Sequence, residues 1–262
     1  MRPFVETCMR PRCSRSALIH WAACVLVLIP VCLEAQTWTS FRGNPDLTGV
    51  AAGSLPDSLV VLWTFEIDDP IESTAAVDED RVYFGGLDGR MYALDWRTGD
   101  SLWTATFEDE VKSSPTVVDS LVLFGDEVGF FHGLNKTTGK EIWSFETEGG
   151  IQSSPNVFSD HVVFGSYDNH LYCLGLETGE LRWKVETDGY VHATPAIRNG
   201  LAFVAGCDGF MRGVDVEKGT EDISINVQDY VGSSPGFIGN VAYVGTFGNQ
   251  VIAVDVEKGE VV

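Results

Sequence analysis

The stretch NKTTGKEIW, residues 135–143, decides the fold because variants of it return along the chain every 40 residues. DWRTGDSLW (95–103) and GLETGELRW (175–183) carry the same Thr-Gly pair and end on the same Trp. The repeat can be followed through five registers without an insertion. The recurring columns are Trp63, Trp103, Trp143 and Trp183, with Ile223 at the fifth place; Pro115, Pro155, Pro195 and Pro235; and Gly99, Gly139, Gly179, Gly219 and Gly259.

Each repeat has the pattern of four short β-strands. In the second repeat, apolar and polar residues alternate over 114–118, 121–124, 130–135 and 141–145, and turn residues separate these runs. Glycine in the Thr-Gly turn supplies the positive φ that a tight hairpin needs. Repeats of about 40 residues built from four strands are typical of propeller blades. The sequence therefore predicts an all-β protein, a β-propeller of four-stranded antiparallel blades with about five 40-residue repeats.

The tryptophan column predicts how neighbouring blades hold together. Trp63, Trp103, Trp143 and Trp183 fall on the last strand of their units, where an indole can bury about 150–250 Å² between two blades. We therefore predict that these four residues dock each blade on the next. Ile223 at the fifth place predicts a thinner seal at that junction.

The two ends of the repeat region leave two arrangements open. Residues 59–66 have the fourth-strand pattern without three strands before it, whereas residues 234–255 supply three strands of the last unit. In a small closed ring, residues 59–66 would complete the last sheet and remove its free edge. In the other arrangement the repeats form an open arc of a larger propeller.

Three segments are predicted along the chain. Residues 1–35 have the pattern of a signal peptide, with four Arg before an apolar stretch at 17–33, and predict export. Retention as an uncleaved leader and a lipid anchor on Cys24 or Cys32 are the alternatives. Residues 36–58, rich in turn formers, predict an irregular lead-in. Residues 59–262 form the repeat domain.

Charge and cysteine content exclude some classes of function. After residue 35 the chain carries 13 basic and 36 acidic side chains, a net charge of −23. This charge repels phosphate backbones, so nucleic acid is not a predicted partner. Cys173 and Cys207 occupy different repeat slots, which favours two separate thiols over a disulfide.

The repeat columns resemble the tryptophan-docking motif of the PQQ-like repeat β-propeller family, over residues 38–262. The motif reads Thr98-Gly99 with Trp103, and Thr138-Gly139 with Trp143. The resemblance implies rings of usually eight blades, so the repeats here would be an arc of an eight-bladed type. The family includes quinone-dependent alcohol and sugar dehydrogenases and the non-catalytic BamB-type scaffolds of outer-membrane assembly.

The chain resembles the BamB-type scaffolds more than the quinoprotein dehydrogenases. It has no adjacent cysteine pair, which those enzymes often have, and its acidic residues fall in turn columns instead of converging on one point. We therefore predict no enzyme, no cofactor, and no catalytic, cofactor-binding or metal-binding residues.

Two variable columns predict an interaction surface. The slot before the first strand holds Glu72, Lys112, Gln152 and His192, and a slot between the second and third strands holds Tyr167 and Phe247. The resemblance makes the first strand innermost, which puts these six residues on a rim around one mouth of the central channel. Exposed aromatic residues on a rim often mark protein contacts. The alternative is that these side chains only cover hairpin loops.

These observations predict an exported, non-catalytic scaffold that binds a protein partner, with a role in outer-membrane protein assembly. The expected location is periplasmic or associated with the outer membrane, with an extracellular location left open. Membrane association would come from a lipid anchor or an uncleaved leader, and no oligomeric state is predicted. The alternatives are a PQQ-dependent dehydrogenase fragment and a module that binds a small ligand or a carbohydrate.

Overall fold

A computed structural model describes residues 37–51, 53–54 and 57–262. The predicted signal peptide, residues 1–35, lies outside the described residues. The described part folds into five four-stranded antiparallel sheets, with one short 3-10 helix at Phe41–Gly43. No helix in these ranges has the length and apolar character needed to cross a membrane.

The strands follow one another in blades, each in the sheet order of the sequence. Blade one contains β1 (Ala76–Asp78), β2 (Arg81–Gly86), β3 (Arg90–Asp95) and β4 (Ser101–Thr106). Blade two contains β5 (Thr116–Val118), β6 (Leu121–Gly125), β7 (Phe130–Asn135) and β8 (Glu141–Glu146). Blade three contains β9 (Asn156–Phe158), β10 (His161–Gly165), β11 (His170–Gly175) and β12 (Leu181–Glu186). Blade four contains β13 (Ala196–Arg198), β14 (Leu201–Ala205), β15 (Phe210–Asp215) and β16 (Glu221–Asn226). Blade five contains β17 (Gly236–Ile238), β18 (Val241–Gly245), β19 (Val251–Asp255) and β20 (Glu260–Val261).

The fold prediction is confirmed: the protein is an all-β propeller of four-stranded blades. In blade two, the observed strands agree with the predicted ones within two residues at each end. The alternating pattern predicted the strands correctly because strands at the same position in each blade are buried to a similar extent. All five residues of β6 are buried between neighbouring blades, whereas β8 alternates between exposed and half-buried positions.

The core lies in the seams between adjacent blades. In the seam between blades one and two, Tyr83 and Met91 pack with Val122 and Phe124, and all four are fully buried. Residues of one blade alone cannot form this core, because each blade supplies one wall of a seam.

Among the predicted docking tryptophans, Trp103, Trp143 and Trp183 lie on the fourth strand of one blade and contact the next blade, whereas Trp63 lies in the segment before blade one and contacts that blade. The Trp103 ring covers Gly139, and its Nε1–H donates a 3.0 Å hydrogen bond to the Lys136 carbonyl. Gly139 has a φ of 68°, and a Cβ there would lie 2.5 Å from the Trp103 ring. The turn therefore requires glycine for both its backbone and its closeness to the indole.

The same contact recurs along the chain with one variation. Trp63 covers Gly99 and Trp183 covers Gly219, and their Nε1–H groups donate to the carbonyls of Trp96 and Val216 respectively. Trp143 covers Gly179, but its Nε1–H has no acceptor within the described residues.

At the fifth place the turn glycine is not covered. Ile223 is partly buried against the core between blades four and five, but a Cβ added at Gly259 would meet no atom within 4 Å. The predicted thinner seal therefore corresponds to unoccupied space beside Gly259.

Hydrogen bonds between the segments just before the first strands link each blade to the next. Ser113 Oγ donates to the Ser153 carbonyl at 2.9 Å, and Ser153 Oγ donates to the Ala193 carbonyl at 3.0 Å. The Ser114 N–H donates to Ser154 Oγ at 3.0 Å. The recurrent Ser-Pro column thus belongs to the inner end of each blade, where successive blades meet.

The two ends of the repeat region are not joined in the structure. Glu260–Val261 pairs with β19, so the fifth sheet has its own short fourth strand, and residues 59–66 pair with no strand of that sheet in the described part of the chain. Tyr243 and Val251 are 41% and 77% exposed, whereas their counterparts Phe203 and Met211 in blade four are buried. The structure therefore has the open arc, and the strand exchange of the closed ring is not present.

Cys173 and Cys207 are both free thiols, as predicted. Cys173 is buried between blades three and four, and burial raises the pKa of its thiol to about 12. It therefore behaves as a small apolar core residue.

Candidate interaction surface at the rim

The two variable columns lie side by side at one end of the blades. In each blade, a backbone N–H of the loop between the second and third strands donates to a carbonyl of the loop before the first strand. The pairs are Leu87 with Pro70, Glu127 with Glu110, Tyr167 with Gly150, Cys207 with Tyr190, and Phe247 with Tyr230, at 2.9 to 3.5 Å. We call these two sets of loops, the loops before the first strands and the loops between the second and third strands, the rim.

A polar network links blades two and three along the rim. Lys112 Nζ lies 2.8 Å from Glu110 Oε2 and 3.7 Å from Glu127 Oε2. Gln152 Nε2 donates to Glu127 Oε2 at 3.3 Å and, through Oε1, accepts the Tyr167 hydroxyl at 2.8 Å. The sequence-predicted residues Lys112, Gln152 and Tyr167 are thus brought together around Glu127.

Hydrogen bonding and burial shift the pKa values of the groups in this network. The hydrogen bond to Glu110 raises the pKa of Lys112, which keeps the ammonium charged. Burial raises the pKa of Glu127, and the nearby Lys112 charge opposes this shift. Burial also raises the pKa of Tyr167, so its hydroxyl remains a donor. Glu127 Oε1 is buried and accepts no hydrogen bond from the described residues.

An aromatic cluster continues the rim toward blade four. The ring of Tyr167 lies 5.0 Å from Tyr190 in an edge-on arrangement and 6.1 Å from the ring of His192. Cys207 Sγ lies 4.0 Å from His192 Nδ1, and burial raises the pKa of this thiol. The cysteine is therefore poorly suited to act as a thiolate nucleophile.

The remaining predicted rim residues lie on the flanks of this cluster. Glu72 is exposed in blade one, and its charge contributes to the raised pKa of Lys112. Phe247 in blade five is 65% exposed and packs against Gly232. Tyr190 and Tyr230, at 52% and 61% exposed, complete the aromatic surface.

Sequence reasoning missed Tyr190 and Tyr230 because it considered only two of the three columns that meet here. The third column reads Pro70, Glu110, Gly150, Tyr190 and Tyr230, and it varies as strongly as the other two. Its variation at the 40-residue spacing was the signal that could have found it.

Comparison with known proteins identifies the family. The family described as outer membrane protein assembly factor BamB matches residues 57–149 and 131–262. The chain belongs to this family. A comparison with curated protein sequences gives no match.

Three solved structures illustrate the fold shared by this BamB-family chain. BamB from Moraxella catarrhalis has a TM-score of 0.68 at 18% identity, over 76% of this chain and 65% of that one. The computationally designed Ika8 protein has a TM-score of 0.65 at 20% identity, over 72% and 60%. Quinohemoprotein alcohol dehydrogenase from Comamonas testosteroni has a TM-score of 0.75 at 15% identity, over 87% and 48%. The chain therefore spans less than two thirds of the length of each of these proteins.

His132, on the third strand of blade two, contacts two acidic side chains. His132 Nε2 lies 3.2 Å from Asp126 Oδ2, and Nδ1 lies 2.8 Å from Glu141 Oε2. In blade four, Arg212 occupies the equivalent position and binds Asp208 and Glu221.

The contact with Glu221 corresponds to that of His132 with Glu141, and in blade four it is made by an arginine, which does not act as a base. Among the described residues no group of three or more His, Cys, Asp or Glu side chains is placed to hold a metal ion.

Proposed function

We propose that this chain is an exported, non-catalytic propeller scaffold that binds another polypeptide through its rim. Its membership of the BamB family supports this function. The location that goes with it is the periplasm or the inner face of the outer membrane, reached through the signal peptide at residues 1–35. An uncleaved leader or a lipid anchor on Cys24 or Cys32 would hold the propeller at a membrane.

The observation that carries the proposal is the composition of the rim. The hydrogen-bonded network around Glu127 includes Tyr167, whose ring contacts the exposed ring of Tyr190. Tyr230 and Phe247 are exposed farther along the rim. Large rings beside partly desolvated polar groups are the side chains that dominate binding energy in protein interfaces.

Charge defines the partner further. The chain has a net charge of −23 after residue 35, and the rim itself contains Glu72, Glu110 and Glu127 with only Lys112 as a cation beside them. A partner with Lys or Arg side chains next to apolar residues complements this surface, and basic charge speeds its association. The family description, outer membrane protein assembly factor, supports a partner among proteins of outer-membrane assembly.

Photo-crosslinking in cells tests this function. A photoreactive amino acid is placed at Tyr190 or Phe247 on the rim and, as a matched control, at the exposed Thr137 in a turn at the opposite end of blade two. We expect a discrete crosslinked protein from the two rim positions only. Tyr167→Ala in the same cells should reduce this crosslink several-fold without lowering Tm. Equal crosslinking from Thr137, or no change with Tyr167→Ala, would remove the rim from the proposal.

The second candidate is a fragment of a PQQ-dependent dehydrogenase, favoured by the likeness to the quinohemoprotein alcohol dehydrogenase over 87% of this chain. Adding PQQ and calcium and measuring dye-linked oxidation of alcohols distinguishes the two. Saturable turnover would replace the scaffold proposal, and we expect none.

A further inference from the structure

The lead-in crosses the inner edges of all five blades. Trp38 exchanges two 2.8 Å backbone hydrogen bonds with Val77 of blade one, and the Thr39 carbonyl accepts the Val117 N–H of blade two at 2.7 Å. Val77 and Val117 each lie on the first strand of their blade.

The far half of the segment repeats this contact on the other three blades. The Pro45 carbonyl accepts Asn156 Nδ2 of blade three at 2.9 Å and the Ile197 N–H of blade four at 2.7 Å. The Asp46 carbonyl accepts the Phe237 N–H of blade five at 3.3 Å. Every blade thus gives at least one hydrogen bond to a segment outside the repeats.

Side chains anchor the same segment near blades four and five. Arg42 Nη1 donates to the Ser234 carbonyl at 3.1 Å, and Asp46 Oδ2 lies 3.2 Å from Arg198 Nη1. Leu47 is 2% exposed and packs with Phe203 and Phe237 in the core of that seam.

These contacts have the character of a bound peptide. The inner edge of a first strand has unpaired backbone groups, and such edges bind extended segments through main-chain hydrogen bonds. The lead-in makes one or two main-chain hydrogen bonds with each of blades one, two, four and five, and it accepts a side-chain hydrogen bond from Asn156 of blade three. Ser40 and Asn44, on either side of the 3-10 helix Phe41–Gly43, are extended, with φ of −148° and −157°. Leu47 is buried, whereas the residues from Trp38 to Asp46 are partly or fully exposed.

We propose that the inner edges of the blades form a binding groove for a polypeptide segment, and that residues 38–47 occupy this groove in cis. The ligand it takes is a segment whose backbone carbonyls face the inner strands, with an arginine directed at Ser234, an acidic residue opposite Arg198 and a leucine for the seam. This groove is separate from the rim.

The test uses the full chain with a protease site inserted after Ser58, in the exposed linker behind the lead-in. After cleavage, we expect the blades to keep their circular dichroism spectrum and to exchange the lead-in for a fluorescent peptide of residues 37–49, followed by anisotropy. The uncleaved chain should take up none of it, because a tethered segment has an effective concentration of about millimolar. The same peptide with Arg42→Ala and Asp46→Ala should bind about tenfold more weakly, since it lacks one charge-assisted pair and one further hydrogen bond.

Three results would overturn the proposal: unfolding of the blades after cleavage, no uptake of the peptide by the cleaved chain, or equal binding of the substituted peptide. An uncleaved chain with Arg42→Ala and Asp46→Ala gives a second measurement that needs no cleavage. We expect it to take up the native peptide at concentrations where the unchanged chain does not. Tyr167→Ala on the rim serves as the matched control and should leave uptake unchanged.

Discussion

The junction beneath Trp103 and the junction beneath Ile223 occupy the same place in the repeat and are built differently. Trp103 covers Gly139 so closely that no side chain fits there, whereas nothing approaches within 4 Å of the Cβ position of Gly259. Both glycines have a positive φ, 68° and 71°. At Gly139 the glycine is needed both for the positive φ of the turn and for the close approach of the indole. At Gly259 only the positive φ requires it.

The same comparison indicates where the propeller is weakest. In a repeat protein, stability is approximately the sum of the stabilities of single units and of the contacts between neighbours. Blade five lacks an indole over its last turn, and its residues Tyr243 and Val251 are exposed. Local opening should therefore begin in blade five, with the fastest amide hydrogen exchange in β18 and β19.

The largest expected effect is the loss of an indole. Trp103→Ala should lower the free energy of unfolding by about 3 kcal/mol, because it removes the contact with Gly139 and a hydrogen bond. Ile223→Ala should lower it by about 1 to 2 kcal/mol, because it removes a smaller, partly buried side chain. Urea unfolding of the two variants measures the difference, and equal losses would contradict the contrast between the seams.

A methyl group on each glycine tests the two roles of that residue. Gly139→Ala combines an unfavourable φ with a collision against Trp103 and should cost about 2 to 3 kcal/mol. Gly259→Ala meets only the unfavourable φ and should cost about 1 kcal/mol. The same urea titration measures both values, and a cost at Gly259 as large as at Gly139 would show that the indole contact adds nothing.

The indole N–H can be tested separately from the ring. Trp103→Phe loses the hydrogen bond to Lys136, at a cost of about 1 kcal/mol beyond the change in ring size. Trp143→Phe loses an N–H without an acceptor in the described part, so it should cost less. Differential scanning calorimetry of the pair reports the gap, and a lower Tm for Trp143→Phe than for Trp103→Phe would oppose this reasoning.

The smallest expected effect is a gain. Ile223→Trp should place an indole in the free space beside Gly259 and raise the free energy of unfolding by up to about 1 kcal/mol. Slower hydrogen exchange in the loop around Gly259 should accompany the gain. A lower Tm would mean that the site is already filled and that overpacking outweighs the new contact.

Most of the fold could be predicted because the same 40-residue pattern recurs in five registers of the sequence. The predicted strands of blade two agree with the observed strands, and the Ser-Pro column lies where successive blades meet. The strand pairing of residues 59–66 could not be predicted, because their fourth-strand pattern is compatible with both a closed ring and an open arc. Their pairing depends on the position of the fifth sheet, which no local pattern determines.

The candidate site could be predicted only as two sets of positions. Variation at the 40-residue spacing indicated Lys112, Gln152, Tyr167 and His192 as members of the rim. It did not show that Gln152 joins Glu127 to Tyr167, because that connection depends on side-chain directions in two different blades.

The sequence by itself determined the blade, its four strands, its turns and its docking residues, because each of these arises from contacts within a unit or between consecutive units, and the recurrence makes those contacts visible. The tertiary structure alone decided the course of the lead-in. Its hydrogen bonds join residues far apart in the chain, 111 positions from Pro45 to Asn156 and 192 from Arg42 to Ser234. These partners meet only because the stacked blades bring their inner edges around one segment that has no copy elsewhere in the chain.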